Sequence, residues 1–352
     1  MMRMTVLASG SKGNSTVISS SRTRVLVDAG LSCRELLRRM AVAGEDPASL
    51  DAILVTHEHQ DHIAGLAVLA RRLNIPVFFT EPTHRAWVRM LTPRTTMTYA
   101  RWLDHVQREK EGRAAAVAAG TSTAGVAAQL AAQSEAIASV SAEVASLNRS
   151  DDPNVTSELP VDPDEDELCG PEPATQKAEQ KADPTHLPAV EYFHAGTQFS
   201  IGDIDITPFT IPHDAADPCG FVFESEGIRM ALATDLGYMP PNVKAALKRI
   251  DVLLLESNHD LEMLRDGPYP WSVKQRVLSR VGHLSNNATA EFLQKDYDGG
   301  AAWIVLGHLS ESNNAPELAR LSAEQALGNQ PTLLGNRIVL AGQSAPLDPI
   351  TL

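Results

Sequence analysis

The stretch "LVTHEHQDHIAG" places His57, His59, Asp61 and His62 within six residues, between an apolar run and an amphipathic one. Alternate positions of an extended loop share a face, so His57 and His59 can hold one metal ion, while Asp61 and His62 can hold a second where the chain turns into a helix. Imidazole and carboxylate ligands together suit Zn²⁺, with Mn²⁺ or Fe²⁺ as alternatives. Four ligand-type residues in so short a turn are hard to read as a merely solvated loop.

Two metals need more ligands than one loop supplies. Three candidates stand where an apolar run has just ended: His213 after "ITPFTIP", Asp235 after "RMALAT" and His308 after "AAWIVLG". Each would lie on the rim of a sheet. A second histidine, His283, shares its phrase with His308: "VGHLSNN" at 281–287 and "LGHLSESNN" at 306–314. His283 opens a Ser- and Asn-rich turn before the helical stretch "ATAEFLQ", where a helix N-terminus with Ser285 and Asn286 favours an anionic phosphate. It can serve as a proton donor or as a helix-capping loop residue. "SGSKGNS" at 9–15 lacks the spacing of a nucleotide-binding P-loop and reads as a tight turn, in which Lys12 and Asn14 are candidate phosphate contacts.

The elements that must position these groups alternate along the chain. "RMTVLA", "STVIS" and "TRVLVDA" read as a meander of short β-branched strands. "CRELLRRMAV" and "IAGLAVLARRL" read as amphipathic helices on either side of the buried strand "DAILVT". "IPVFFT", three strands over 199–234, "DVLLLES" and "AAWIVLG" are further strands, and "PNVKAALKRI", "WSVKQRVLSRV" and "ATAEFLQ" further helices. Hairpins followed by βαβ stretches in each half predict an α/β fold of two sheets between helix layers.

At 352 residues the chain suits one large domain with an insertion. The insertion is 114–190, which has no Phe, Trp or Tyr and holds 13 acidic and 3 basic side chains. Its alanine-rich first part could be helical but offers few large apolar residues to bury, and its acidic, proline-rich second part reads as disorder. It carries −10 of the net −14, leaving about −4 for the rest, so the overall sign does not exclude a local basic groove for nucleic acid. Cys33, Cys169 and Cys219 are scattered and odd in number, against a disulfide framework or a thiolate zinc site. No run is long and apolar enough to span a bilayer, and the start lacks secretory-signal features. The expectation is a soluble, cytoplasmic protein with no membrane partner.

HxHxDH at 57–62, preceded by Asp28 in "VLVDAG" and followed by His213, Asp235 in "ATDLG" and His308, resembles the five-motif signature of the metallo-β-lactamase fold, an αββα sandwich. "LASGSKGNST", "IPHDAADPCGF", "ESNHDLEMLRDGPYPWSVKQRVLS" and the two "GHLS" phrases are more specifically similar to the YycJ/WalJ branch, whose members are regarded as 5′-to-3′ DNA exonucleases. The resemblance covers nearly everything except 114–190. It implies one metal on His57, His59 and His213, another on Asp61, His62 and His308, Asp235 between them, and Asp28 as a supporting partner. The 22-residue interval from His213 to Asp235 resembles that of ribonuclease J-type enzymes and leaves no room for the arm of ribonuclease Z relatives; the 73 residues from Asp235 to His308 are short for a β-CASP domain.

The chemistry so implied is phosphodiester hydrolysis by a hydroxide bridging two divalent ions, Zn or Mn, aligned by Asp61, with His283 giving a proton to the leaving oxygen. The substrate expected is nucleic acid, DNA by resemblance. A thioesterase or lactonase of the same fold, and an RNA-processing nuclease, are the alternatives.

Overall fold

The computed structural model describes residues 1–92, 183–328 and 336–352. Residues Met1–Thr92 and Ala182–Leu352 form one compact unit. The expected insertion lies, from 114 to 182, outside the described residues. Its last residues belong to the folded unit, because Leu187 is buried in the core and a strand begins at Val190.

The first half begins with three antiparallel strands, β1 (Arg3–Ala8), β2 (Ser15–Ser19) and β3 (Arg24–Val27). Helix α1 (Cys33–Val42) then carries the chain to β4 (Ala52–Leu54), parallel to β3. The Ser32 side chain caps α1 by accepting from Glu35 N, and Leu36 and Met40, one turn apart, face the core. Helices α2 (Gln60–Ile63) and α3 (Leu66–Leu73) lead to β5 (Val77–Phe79), and α4 (Glu81–Leu91) precedes β6 (Val190–Tyr192), both strands parallel to β4.

The second half repeats this plan. Strands β7 (Phe199–Ile201), β8 (Ile204–Thr210), β9 (Cys219–Ser225) and β10 (Ile228–Ala233) form an antiparallel meander. Helix α5 (Pro241–Ala246) leads to β11 (Val252–Glu256); α6 (Leu261–Asp266), α7 (Trp271–Val277) and α8 (Asn286–Lys295) lead to β12 (Trp303–Gly307); and α9 (Pro316–Leu327) precedes β13 (Arg337–Leu340). Strands β10 to β13 run parallel. The final strand, β14 (Ile350–Thr351), returns to pair with β1, so each sheet has seven strands. One clasp recurs in both halves: Arg24 N donates to Asp51 Oδ2 at 2.8 Å, and Arg229 N to Asp251 Oδ2 at 2.7 Å.

The inner faces of the sheets meet through Val6, Ile18, Val27, Phe221, Phe223 and Leu232. Outer layers bury Leu36, Leu66 and Trp87 against the first sheet, and Val243, Phe292 and Ala323 against the second. This is the αββα sandwich expected.

Three local expectations change. The region 199–234 holds four strands rather than three. "IAGLAVLARRL" is not one helix, because the chain is pressed against the neighbouring loop at Gly65, where a Cβ would lie 2.2 Å from Leu31 O. Helices α4, α6 and α9 and strands β13 and β14 had no counterpart in the sequence reading.

Candidate metal centre

The ligand-type residues converge at the strand ends of both sheets. Asp28 follows β3, His57 follows β4, Asp235 follows β10 and His308 follows β12. Among the described residues seven non-glycine residues have positive φ, and Asp28 (61°), Asp235 (63°) and His308 (55°) are three of them. Left-handed backbone is costly for residues with a Cβ and persists where the surroundings enforce it. Here it turns each side chain inward as its strand ends.

His57, His59 and His213 each offer a nitrogen within 4.8 Å of the others; Asp61, His62 and His308 form a second such group, and His57, His62 and Asp235 a third. Asp235 lies between the first two. Its Oδ2 is 3.4 Å from His62 Nε2, and its Oδ1 is 3.4 Å from His308 Nε2 and 4.0 Å from His213 Nε2. Asp61 Oδ2 is 3.5 Å from both His62 Nε2 and His308 Nε2. The expected residues are therefore brought together, in groups that overlap at His57, His62, Asp235 and His308.

The opposite ring nitrogens are tied down. His62 Nδ1 meets Asp28 Oδ2 at 2.7 Å, His213 Nδ1 meets Gly282 O at 3.2 Å, His59 Nε2 meets Asp214 O at 3.2 Å, and His308 Nδ1 meets Glu256 Oε1 at 3.1 Å. Thr56 joins the set: its N–H and hydroxyl reach the Asp28 carboxylate, both at 2.8 Å, and its oxygen is 3.0 Å from His57 Nδ1. Bonds of this kind fix tautomer and ring orientation, leaving the other nitrogen for a metal.

The residues fit a cation on independent grounds. His57 Nε2, His308 Nε2 and Asp235 Oδ2 are buried with no hydrogen-bond partner, which folded proteins seldom tolerate. His213 Nε2 faces His59 Nδ1 at 3.2 Å, nitrogen against nitrogen. Burial, reinforced by neighbouring His62, holds His57 well below the usual histidine range, which favours the neutral ring that a metal ligand needs. Burial likewise lowers His213. Burial opposes charge on His62 too, yet Asp235, Asp61 and Asp28 outweigh it and raise it to about 9. Burial would raise Asp235, but His308, His62, His57 and His213 hold it well below the carboxylate range.

His283 sits beside this centre, its Nδ1 2.7 Å from Glu256 Oε1. Asp235, Glu256, His283 and His308 also lie close enough to hold an ion. The 2.7 Å bond, however, already satisfies both His283 Nδ1 and the carboxylate oxygen. Glu256 was missed in the sequence reading, as were Thr56 and Asp214; the available signal was an acid closing the fully buried strand "VLLLE". Glu256 Oε2 accepts from Leu236 N at 2.6 Å. Burial opposes its charge, but His283 and His308 bring its carboxyl down to about 2.

The candidate phosphate contacts divide. Lys12 is exposed and pairs with Glu311 at 2.6 Å, and Ser285 caps α8 by accepting from Ala288 N. Asn14 is buried, its Nδ2 3.1 Å from Asp61 Oδ2, and Asn286 is buried against Ser257 and Asn314. These two asparagines are placed as internal ties rather than surface contacts. Both "GHLS" phrases grip the segment after β11: Asn258 N donates to Leu284 O, Asn286 N to His259 O and Ser310 N to Asn258 O, each at 2.8 Å.

Fold and site together are those of the metallo-β-lactamase superfamily, to which this chain belongs: its family models match residues 8–114, as the metallo-beta-lactamase superfamily, and 165–308, as a beta-lactamase superfamily domain. Within the superfamily it falls in the YycJ/WalJ branch. It is 31% identical over 326 residues to the exodeoxyribonuclease YycJ of Bacillus anthracis, covering 93% of this chain and 89% of that one. It is 30% identical over 320 residues to the exodeoxyribonuclease WalJ of Streptococcus pneumoniae, covering 91% and 86%. A 73-residue stretch, 19% of this chain and 25% of the relative, is 40% identical to ribonuclease Z of Mycobacterium bovis. Among solved structures, the metallo-beta-lactamase fold protein YhfI of Bacillus subtilis shares the fold at TM-score 0.54 and 13% identity, covering 99% of this chain and all of that one. Zn²⁺-bound PqqB of Methylobacterium extorquens does so at 0.55 and 15%, with 99% and 100% covered. No helix among the described residues is long and apolar enough to cross a membrane.

Proposed function

We propose that this chain is a dinuclear-metal phosphodiesterase acting on nucleic acid, a DNA exonuclease working 5′ to 3′, in the cytoplasm. The observation that carries the reading is the His283–Glu256 pair, 2.7 Å apart, beside a convergent set of seven metal-type ligands. Hydrolysis of a phosphodiester needs a proton for the departing sugar oxygen, as the alkoxide of a lactone also does, whereas the thiolate of a thioester leaves without one.

His57, His59 and His213 would hold one divalent cation and Asp61, His62 and His308 another, with Asp235 available to both. When bound, two such ions, zinc or manganese, supply a water ionised near neutral pH and positive charge for the phosphate oxygens. Asp61, steadied by Asn14, accepts a hydrogen bond from the attacking water and aligns it. Asp28 and Thr56 keep His62 and His57 in register. Glu256 holds the His283 ring by Nδ1, so its Nε2 is the nitrogen left to pass a proton to the leaving oxygen. Lys12, exposed, is the substrate contact on the rim.

The test is incubation of the metal-loaded protein with end-labelled single- and double-stranded DNA and RNA beside a panel of thioesters. Shortening of DNA from its 5′ end is expected. Preferential RNA cleavage would favour the processing role that the ribonuclease Z match makes the second reading, and turnover of thioesters alone would overturn the nuclease assignment.

A further inference from the structure

Helix α7 and the loop after it stand out as a surface. Five of the fourteen exposed large apolar side chains among the described residues, Tyr238, Trp271, Val273, Leu278 and Val281, lie on this excursion or against it, with Trp271 67% exposed. Yet the helix is firmly anchored. Lys274, buried, donates from Nζ to Arg265 O at 2.7 Å and to Gly267 O at 2.8 Å. The far end is bonded to the metal centre: His283 N donates to Val277 O at 3.0 Å, Asp214 N to Val281 O at 3.1 Å, and Gly282 O meets His213 Nδ1.

Residues 267–290 hold three cations and no acid; Lys274 is turned inward and Arg276 is paired with Asp214, so Arg280 is the cation of this stretch that is open to a phosphate. Arg276 Nε reaches Asp214 Oδ2 at 2.5 Å, beside His213. The Arg280 guanidinium lies 4.4 Å from the centre of the Tyr238 ring. That stack depends on Gly237, where a Cβ would fall 2.2 Å from Arg280 O. Tyr238 is three residues past Asp235, and Arg280 is three before His283, so short stretches of chain tether both members of the pair to the site.

Resting on the nuclease reading above, we infer that this face, Tyr238 stacked with Arg280 and Trp271 at the head of α7, is the track for an unpaired nucleic-acid strand leading into the centre. Exposed rings stack on bases, and arginines meet the phosphates between them. A paired duplex keeps its bases out of reach of such rings, so the occupant is single-stranded. Trp271 lies about 9 Å along the helix axis from Val277, near the site, giving the strand two footholds.

Binding is measured by fluorescence anisotropy with the metal-loaded full chain and a phosphorothioate-linked decathymidylate, beside a strand of equal length whose residues are abasic. Tyr238→Ala and Trp271→Ala should each weaken decathymidylate binding roughly 5- to 150-fold, the range of one lost base stack, and leave the abasic strand unchanged. Tyr238→Phe and Trp271→Phe should retain affinity, and Arg280→Gln should weaken both strands. Equal affinity of the alanine variants and wild type for decathymidylate would overturn the inference, as would a weakening that is the same for the abasic strand. A change in molar mass by light scattering in Trp271→Ala, with strand binding intact, would make the face an interface between copies of this chain. Wild-type hydrolysis of bis(p-nitrophenyl) phosphate separates the two readings: with it present, such failures fall on the strand track alone, and with neither hydrolysis nor strand binding the nuclease assignment falls.

Discussion

Glu256 Oε1 lies 2.7 Å from His283 Nδ1, and the same oxygen lies 3.1 Å from His308 Nδ1. One buried carboxylate thus orients both histidines of the repeated "GHLS" phrase. Glu256→Gln keeps the volume but sets an amide donor against one ring or the other. Cleavage of DNA by this variant should fall about 10- to 100-fold, the usual cost of losing such a supporting partner. Single-turnover kinetics check it; an unchanged rate would show that the pair does not set the ring.

Asp28 binds Thr56 and His62 from inside the fold. Asp28→Asn should lower the affinity for zinc about 10- to 100-fold, with the fold retained. Competition titration against a zinc chelator measures this, and affinity equal to wild type would remove Asp28 from the support of the centre.

The candidate ligands of the centre are legible in the sequence because four of them crowd one turn and the others each follow an apolar strand, where a polar residue needs a reason. The supporting residues were not. Glu256 reads as the end of "DVLLLES", and nothing local says that it is buried beneath two histidines from segments 27 and 52 residues away. Asn14 and Asn286 suit a phosphate loop by type, yet side chains from distant segments cover them. Strands β13 and β14, of four and two residues, are too brief to show a period, and α4 carries only Thr83 and Trp87 as buried positions.

Chelation should destabilise the protein, since metal binds the folded centre and leaves the buried His57 and His308 nitrogens unpartnered when removed. The melting temperature should fall with EDTA and recover on adding zinc, with elemental analysis finding close to two ions per chain. A single ion after full reconstitution would contradict the dinuclear centre.

Glu35 provides a pH test away from the centre. Hydrogen bonds from Arg38 and then Arg39 overcome its partial burial and lower its carboxyl to about 2. A depressed carboxylate stabilises the fold fully above the unfolded value near 4.5 and loses that contribution as pH falls through about 2. Glu35→Gln should therefore cost about 1 kcal/mol in urea denaturation at pH 6, a modest figure because the pair is partly exposed, and the difference should shrink as pH approaches 2. A difference independent of pH would assign the effect to packing.

Replacing 114–182 by a short Gly/Ser bridge should preserve cooperative melting and metal content, because that segment offers few large apolar residues to bury. Extending the deletion to 190 should not, since it removes buried Leu187 and the first residue of β6. Equal stability of the two deletions would place the boundary wrongly.

The central claim is that the two "GHLS" histidines do different work, and one comparison tests it most directly: the rate of His283→Ala on DNA against its rate on bis(p-nitrophenyl) phosphate, whose phenolate leaves without a proton. The variant should retain its metal, lose about 10²- to 10⁴-fold on DNA, the usual share of general acid catalysis, and stay far closer to wild type on the activated ester. His308→Ala, measured alongside, should lose metal and both activities. Equal slowing of both substrates by His283→Ala, or equal metal loss in the two variants, would contradict the division of labour.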